Sequence, residues 1–302
     1  MTHPERLAVV VLNWNNAPDT LDCLRSLTSS TLRPFVVAVD NGSTDGSAAE
    51  IIDSGLAQQV ICNDDNLGYA GGNNVGLAWA LAAGFEFVAV LNNDTIVDPA
   101  CLATVVAALA ADERPRAASP LIVYADAPEQ VWFGGGVFDR GMPRHLRAEE
   151  LQSPPLPTTA ILTGCCIVAR RDVWELVGSF DPDYFLIFED SDWSVRAVQR
   201  GVELVVAGDA LLQHRVSRSF AAPATNRLGS FYYGRNGLRF HLRHARAHVA
   251  GYVWRSLIHP GLRSLARRPG AQPTRFVWLG ACSVLLGSRG AAPRVVQRLA
   301  GR

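Results

Sequence analysis

The stretch FEFVAVLNNDTIVDP at residues 85–99 constrains this chain more than any other part of the sequence. An apolar, β-branched run stops abruptly at two asparagines and an aspartate. A buried strand of an open α/β sheet ends in this way where its carboxyl edge opens into a ligand crevice. There the Asp94 carboxylate can bind Mg²⁺ or Mn²⁺ against a substrate diphosphate, beside the neutral Asn92 and Asn93. Asn and Asp also end strands by making turns, so both interpretations stay open here.

The first hundred residues alternate strand patterns with helical ones. Strands are predicted at residues 7–13, 35–40, 59–63 and 85–91, and helices at residues 19–29, 47–54 and 75–83. This alternation indicates an open, mostly parallel sheet with right-handed crossovers. Polar residues follow each strand, namely Asn13, Asn15, Asp40, Asn66 and the three residues Asn92, Asn93 and Asp94. Ligands bind at the carboxyl edge of such sheets, so these side chains predict a single binding site.

The net charge of zero hides a division of the chain. There is no lysine, the last acidic residue is Asp209, and residues 215–302 contain sixteen arginines. The first 214 residues carry twelve arginines and 28 acids, a net charge of −16. An acid-free basic segment can face nucleic acid, anionic lipid or phosphorylated substrates. Its apolar run at residues 276–287 has twelve residues, whereas about twenty are needed to span a bilayer.

The cysteines and the N-terminus both indicate a cytoplasmic protein. The six cysteines have neither zinc-site spacing nor the density of a disulfide scaffold, which is typical of a reduced compartment. The first six residues lead directly into a strand pattern without the features of a signal peptide. With its basic tail, the chain is expected in the cytoplasm, with possible peripheral contact at the inner face of the plasma membrane.

Six sequence strings, in their order, resemble the family 2 glycosyltransferases of the GT-A fold, and most closely a rhamnosyltransferase-like branch. The strings are VVVLNWNN, VDNGSTDGS, NDDNLGYAGGNNVGL, VAVLNNDTIVDP, TGCCIVARRDVWELVGSFDPDYFLIFEDSDWSVRAVQRG, and QHRVSRS with YYGRN. The resemblance implies a GT-A sheet flanked by helices over residues 1–235. Its nucleotide-binding half would cover about residues 1–115 and its acceptor half about 116–235. A basic helical extension would follow at residues 236–302.

The resemblance assigns the first strand ends to the nucleotide-sugar donor. Asp40 matches the aspartate that reads the base, although a turn or helix-capping role is equally open to it. Asn13 and Asn15 would lie near the same site. The string NLGYAGGNN is rich in glycine before a helix, so that Asn66, Gly68 and Gly72 can approach the donor, or it is simply a tight connection. Further donor contacts are expected from three residues, Asn92, Asn93 and Arg235.

Asp94 corresponds to the last aspartate of the family's DxD motif, which reads NND here. A divalent cation, Mg²⁺ or Mn²⁺, would therefore meet one carboxylate and complete its coordination with the donor diphosphate and water. His214 matches a histidine that contacts the metal or diphosphate in some relatives, although a lone histidine is often structural. Arg215, Arg218 and Arg235 can hold the diphosphate by bidentate hydrogen bonds, or belong to the general basic tail.

The string FEDSDW begins a helix with three acids in its first turn, where the helix dipole alone would favour them. In the family the aspartate of the matching pair deprotonates the acceptor hydroxyl, which assigns the base to Asp190 with Glu189 as its neighbour. The apolar residues before the pair are expected to raise the pKa of the base. Contacts to the acceptor are expected from Thr163, Gly164 and Trp193.

The sequence thus predicts an inverting glycosyltransferase that moves a sugar from a nucleoside-diphosphate donor to a hydroxyl of a glycan or lipid-linked acceptor. The branch implies dTDP-L-rhamnose as donor and cell-envelope polysaccharide synthesis as context. One alternative is a non-catalytic carbohydrate- or nucleotide-binding protein. Another is a sugar-phosphate nucleotidyltransferase, which would need a basic Gly-rich loop after the first strand that VVVLNWNNAP lacks. Nothing in the basic tail resembles a nucleic-acid-binding module.

Overall fold

The computed structural model describes residues 6–146, 148–151, 158–216, 223–259 and 272–300. Its first half alternates strands and helices: β1 (Leu7–Asn13), α1 (Ala17–Thr28), β2 (Phe35–Asp40), α2 (Ser47–Ser54), β3 (Gln59–Cys62), α3 (Gly68–Ala83), β4 (Phe87–Asn92), β5 (Thr95–Val97) and α4 (Cys101–Ala110). Then follow β6 (Arg116–Tyr124), β7 (Ala127–Phe133), β8 (Gly136–Asp139), β9 (Met142–His145), β10 (Cys166–Arg170), α5 (Arg171–Val177), α6 (Glu189–Gln199) and β11 (Glu203–His214). The C-terminal part is helical, with α7 (Pro223–His244), α8 (Val249–Tyr252), α9 (Gln272–Leu285) and α10 (Arg294–Ala300).

A nine-stranded sheet organises the chain, in the order β3-β2-β1-β4-β10-β6-β11-β5, with β7 paired to β6. Strands β1 to β4 are mutually parallel, as predicted. Strand β10 runs antiparallel to both β4 and β6, so the second half of the sheet is mixed. The register pairs Asn13 with Asp40 and Leu12 with Asn92, which places the polar strand ends at one edge.

Apolar layers cover both faces of the central strands. In β1 the five residues from Leu7 to Val11 are all fully buried. One face packs against α1 and α4 through residues such as Leu24 and Val105. The other face packs against α3, α5 and α6, with Leu77 and Trp174 among the contacts. Burial on both faces explains why these strands are continuous apolar runs in the sequence rather than alternating ones.

Helix α3 begins earlier than the sequence indicates. The glycine-rich string was expected to be a loop before a helix starting at residue 75, but the helix runs from Gly68 to Ala83. A Cβ atom on Gly72 would lie 2.5 Å from Leu12 Cδ1, and one on Gly76 would overlap Val10. The glycines are therefore required for close packing of the helix on β1, although glycine lowers intrinsic helix propensity.

The C-terminal helices pack onto the sheet domain. The predicted boundary after residue 235 falls inside α7, which is continuous from Pro223 to His244. Helix α9 crosses α7 so closely that a Cβ on Gly234 would overlap Val277, and one on Gly280 would overlap Phe231. Within the described residues, no helix is both long enough and apolar enough to cross a membrane.

Candidate active site

Asp94 and His214 meet at the carboxyl edge of the sheet. The chain turns after β4, and β5 then pairs with the end of β11, Thr95 opposite His214. This pairing places His214 Nε2 3.1 Å from Asp94 Oδ1. Both side chains are almost completely buried. Residues 120 positions apart in the sequence thus form one carboxylate–imidazole pair.

Two buried polar atoms at this edge have no hydrogen-bond partner among the described residues: Nδ1 of His214 itself, and Oδ1 of Asn92 at the end of β4. The His214 ring lies edge-on to Trp132, with ring centroids 4.4 Å apart. No group of three or more His, Cys, Asp or Glu side chains in the described part of the chain could hold a metal. Asp94, His214 and the Asn92 oxygen fit a divalent cation only if substrate phosphates supply further ligands.

A second polar cluster joins the ends of β1 and β2. Asn13 Nδ2 donates to Asp40 Oδ1 over 2.7 Å, and Ser43 donates to both carboxylate oxygens. Thr20 links the cluster to the edge near Asp94, because its hydroxyl donates to Asn13 and accepts from Asn93 Nδ2. Asp40 therefore closes the turn after β2 and keeps part of its acceptor capacity free. Both roles considered for it are compatible with this geometry.

Asn66 belongs to a further network around the buried Asn41. The Asn66 side-chain oxygen accepts from Asn41 Nδ2 and from the Gly68 N–H, over 3.0 and 2.7 Å. Asn41 also accepts from Asn63 Nδ2. These bonds tie the ends of β2 and β3 to the first turn of α3. Gly68 has positive φ (76°), and a Cβ there would overlap Phe185.

The carboxylate of Asp190 lies in the first turn of α6. Its Oδ2 accepts from the Gly164 N–H over 2.9 Å, and its Oδ1 accepts from the Ser191 N–H over 2.6 Å. These two backbone donors fix the orientation of a half-buried carboxylate. A carboxylate held in this way and open to a cavity has the geometry of a general base.

Glu189 differs sharply from its neighbour. It is buried, and its Oε2 has no hydrogen-bond partner among the described residues. Burial, and then the charge of Asp190, raise the pKa of Glu189 to about 8. Glu189 therefore holds its proton at neutral pH.

A cavity of about 220 Å³ opens onto Asp190. Its lining includes Thr163, the β9 residues Arg144 and His145, and Tyr233 of α7. Two connections join this cavity to the Asp94 edge. First, the backbone carbonyl of Cys165, which follows the Gly164 that binds Asp190, accepts a hydrogen bond from the Asn92 N–H over 2.9 Å. Second, Trp132 packs between His145 and His214. The cavity that Asp190 lines and the buried Asp94–His214 pair are therefore neighbours in the fold, and we call the region that contains both the cleft.

Two predicted contacts lie elsewhere. Trp193 is fully buried, donates its indole N–H to Gly178 and packs against Trp174, so it faces the core rather than an acceptor. Arg235 is also fully buried and donates to backbone carbonyls of residues 183, 184 and 290 instead of facing a diphosphate. Both corrections have one cause, because a motif identifies a residue without showing which way its side chain points.

The remaining predicted residues take varied positions. Asn15 lies on the exposed turn after β1 and binds the Thr44 N–H. Thr163 and Gly164 border Asp190, as described above. Arg215 is paired with Asp19 and Asp22 on α1. Arg218 lies outside the described residues.

Three residues near Asp190 were not identified from the sequence. Arg144 and His145 lie on β9, in a Gly- and Pro-rich section without a motif, and only the fold brings them opposite Asp190. Tyr69 donates its hydroxyl to the Gly164 carbonyl over 2.5 Å. Its place inside NLGYAGG could have indicated a role, because an aromatic hydroxyl there interrupts a run of small residues.

Comparison with known proteins agrees with this geometry. The family described as "Glycosyltransferase like family 2" matches residues 4–232. The N-acetylglucosaminyl-diphospho-decaprenol L-rhamnosyltransferase of Mycobacterium tuberculosis is 29% identical over 245 residues, covering 73% of this chain and 80% of that protein. The galactofuranosyltransferase GlfT1 of the same species is 27% identical, covering 91% of this chain and 88% of its own length. The dTDP-rhamnosyl transferase RfbF of Shigella flexneri is 21% identical, covering 60% of each chain.

Solved structures confirm the fold. The mannosyltransferase PcManGT of Pyrobaculum calidifontis, solved with GDP-Man and Mn²⁺, superposes with a TM-score of 0.56 at 18% identity, covering 94% of this chain and 88% of that one. TarS residues 1–349 of S. aureus, solved with UDP-GlcNAc, also superposes with a TM-score of 0.56. Its identity is 17%, and the match covers 96% of this chain and 82% of that one. The predicted GT-A fold and the predicted enzyme class are both confirmed. The chain is a glycosyltransferase and belongs to glycosyltransferase family 2, where its relatives include rhamnosyltransferases.

Proposed function

We propose that this glycosyltransferase transfers L-rhamnose from dTDP-L-rhamnose, with inversion, to a hydroxyl of a lipid-linked glycan in cell-envelope polysaccharide synthesis. The observation that carries the proposal is the nearness of Asp190, which lines the cavity, to the buried Asp94–His214 pair, to which Cys165 and Trp132 connect it. The donor and the acceptor class are supported by two relatives named as rhamnosyltransferases, one of them for a diphospho-decaprenol substrate.

In the proposed reaction, Asp190 accepts the proton of the acceptor hydroxyl. The hydroxyl oxygen forms a bond to the anomeric carbon from the face opposite the diphosphate. The bond from that carbon to the phosphate oxygen breaks, and its electron pair leaves with dTDP. Gly164 and Ser191 keep the Asp190 carboxylate in place through their N–H groups. Asp40, Asn13 and Asn66 would hold the nucleotide at the neighbouring strand ends.

A nucleotide-sugar donor would bring a divalent cation with it. We assign the site of this cation to Asp94, His214 and the Asn92 oxygen. When bound there, Mg²⁺ or Mn²⁺ would neutralise the charge that develops on the departing diphosphate. The contact of His214 Nε2 with Asp94 and the unpartnered Asn92 Oδ1 support this assignment, because buried polar atoms ordinarily have partners. Asp94 is the one carboxylate in this set, so the cation should bind well only together with the donor.

A panel of nucleotide sugars tests the donor assignment. Release of nucleoside diphosphate would be measured with dTDP-L-rhamnose, UDP-galactofuranose, UDP-GlcNAc and GDP-mannose, in the presence of Mn²⁺ and a GlcNAc-diphospho-prenol acceptor. We expect kcat/KM for dTDP-L-rhamnose to exceed that of each competitor at least about tenfold, because hydrogen bonds to sugar hydroxyls discriminate strongly. Preference for UDP-galactofuranose would overturn the donor assignment while leaving the enzyme class intact.

The C-terminal helices have the surface expected for contact with an anionic membrane. Leu285 and Leu286 at the end of α9 are 82% and 87% exposed, and Val295 of α10 is 64% exposed. Arg289 lies between them with a largely exposed side chain. Arg289 also contacts Asp183 over 3.4 Å, although the segment itself contains no acid. We propose that this apolar surface and the basic residues of the segment dock on anionic lipid, where each basic residue adds about 1 kcal/mol. Such docking would bring the cleft to a lipid-linked acceptor.

Liposome flotation tests this docking. We expect the wild-type protein to float with vesicles containing phosphatidylglycerol, less so at high salt, and scarcely with pure phosphatidylcholine. Exchange of Leu285 and Leu286 for Asp should abolish recovery. Ile52→Asp is the matched control, because Ile52 is exposed in the acidic half of the chain. Equal recovery of the double variant and the control would reject the membrane contact.

A further inference from the structure

The loop that precedes the Glu189–Asp190 pair has an unusual backbone. Phe185, Ile187 and Phe188 have φ values of 63°, 70° and 78°, in the left-handed region. Non-glycine residues rarely adopt this conformation, and for a β-branched residue such as Ile187 it is an outlier. Such residues persist where the surroundings hold them, and they concentrate at functional sites. Phe188 is the residue immediately before α6. The loop therefore determines the position of the first turn of α6, which contains Asp190.

Asn236 of α7 holds the loop directly. Its Nδ2 donates to three backbone carbonyls of the loop, those of Tyr184, Leu186 and Ile187, over 2.7, 2.7 and 2.9 Å. The side chain is fully buried. These carbonyls belong to the left-handed Ile187 and to two residues next to left-handed ones, so one amide group satisfies the backbone where a regular structure is absent.

Arg235 reinforces this contact. Its guanidinium donates to the Tyr184 and Asp183 carbonyls over 2.9 and 3.2 Å, and its Nε donates to Asn236 Oδ1 over 2.9 Å. That last bond orients the Asn236 amide with its donor toward the loop. The guanidinium is itself held over the ring of Tyr232, 4.9 Å from the centroid. It also donates to the Gly290 carbonyl, which lies between α9 and α10.

The opposite side of the loop rests on α3, at the donor side of the cleft. The Phe185 carbonyl accepts from the Ala70 N–H over 3.2 Å, and Gly68 leaves room for Phe185 because it has no Cβ. The loop is therefore clamped between the first turn of α3 and the Arg235–Asn236 pair. A shift on either side would move the start of α6 and with it the carboxylate of Asp190.

We propose that Arg235 and Asn236 are positioning residues for the base, which they place by holding the loop at residues 183–188 in its left-handed conformation. This inference rests on the proposed function, since Asp190 is the base there. It also gives the basic C-terminal region a task within the catalytic domain: the segment around Gly290 supports Arg235, which supports Asn236 and the loop.

Two variants test the clamp. Asn236→Asp keeps the shape of the side chain but removes the donors to three carbonyls, and Arg235→Lys keeps the charge but loses the planar fork. The matched control is Asn74→Asp on α3, because Asn74 also donates to a distant backbone carbonyl, that of Phe180, over 2.8 Å. The measurements are amide hydrogen exchange of peptides covering residues 183–192, kcat and KM for transfer, and the Kd for dTDP.

We expect exchange in residues 183–192 to accelerate at least about tenfold in Asn236→Asp and less in Arg235→Lys. We expect kcat to fall about 100-fold in Asn236→Asp, the cost of displacing a catalytic group by about 1 Å, with the Kd for dTDP changed less than about threefold. The control should exchange normally in this segment and keep its kcat. Unchanged exchange in both variants would overturn the clamp, whether or not transfer is detected. Faster exchange with normal kcat would show that the loop does not position the base.

A failure of the proposed function is separately visible. If the wild-type protein turned over no nucleotide sugar, the exchange experiment would still decide whether Arg235 and Asn236 hold the loop. If Asn236→Asp does not fold, Arg235→Lys carries the same comparison, because it removes the bond that orients the Asn236 amide and the fork to the Asp183 and Tyr184 carbonyls.

Discussion

Exchange of Asp190 for Asn is expected to lower kcat for sugar transfer by about 10²–10⁴-fold, the contribution typical of a general base. The amide has the same shape and can still accept from the Gly164 N–H that binds the carboxylate in the wild-type protein. What it loses is the capacity to take the proton of the acceptor hydroxyl. The Kd for dTDP should change little, because Asp190 lies on the acceptor side of the cleft. Transfer would be followed by product formation under saturating donor and acceptor.

Asp172→Asn is the matched control for this variant. Asp172 lies in the first turn of α5, as Asp190 lies in the first turn of α6, but it is largely exposed. It should keep wild-type kcat. Normal turnover by Asp190→Asn would remove Asp190 as the base.

Exchange of Asp94 for Asn is expected to give the second large loss. Asp94 is the carboxylate available to a cation in the proposed set, so the variant should lose the Mn²⁺-dependent part of dTDP binding. A cation on a departing diphosphate is worth several kcal/mol, which corresponds to about 10²–10⁴-fold in kcat/KM. Calorimetry of dTDP binding with Mn²⁺ and with EDTA measures the loss without any need for turnover.

Asp98→Asn is the control for Asp94→Asn. Asp98 is exposed four residues further along the chain, beyond β5, and faces no predicted ligand. It should bind dTDP with the same Mn²⁺ dependence as the wild-type protein. An Asp94→Asn variant that retained full Mn²⁺-dependent binding would show that the NND motif only makes a turn.

Much of the fold was predictable because the central strands are buried on both faces. Strands β1 and β2 and helix α2 have the predicted bounds, since short apolar runs between turn residues leave few alternatives. Helix α3 was misjudged at its start because Gly72 and Gly76 lower helix propensity. The space that makes glycine necessary there is created by Leu12 and Val10 of β1, and a single segment of sequence does not contain that information.

The site was predictable where a motif and a strand end coincide. Asp94 and His214 were each identified separately, and the fold adds their contact, which depends on β5 pairing with β11. Arg235 was predicted to bind the diphosphate, and its burial against the loop at residues 183–188 follows from helix packing. Arg144 and His145 were not identified, because β9 reaches the cleft through tertiary structure alone.

The most direct test of the account is one paired measurement on Asp190→Asn: the rate of rhamnosyl transfer from dTDP-L-rhamnose and the Kd for dTDP with Mn²⁺. We expect transfer to fall at least about 100-fold, with a Kd within about threefold of wild type. Wild-type transfer would contradict the assignment of the base. A large loss of dTDP binding would contradict the separation of the acceptor side from the Asp94–His214 side of the cleft.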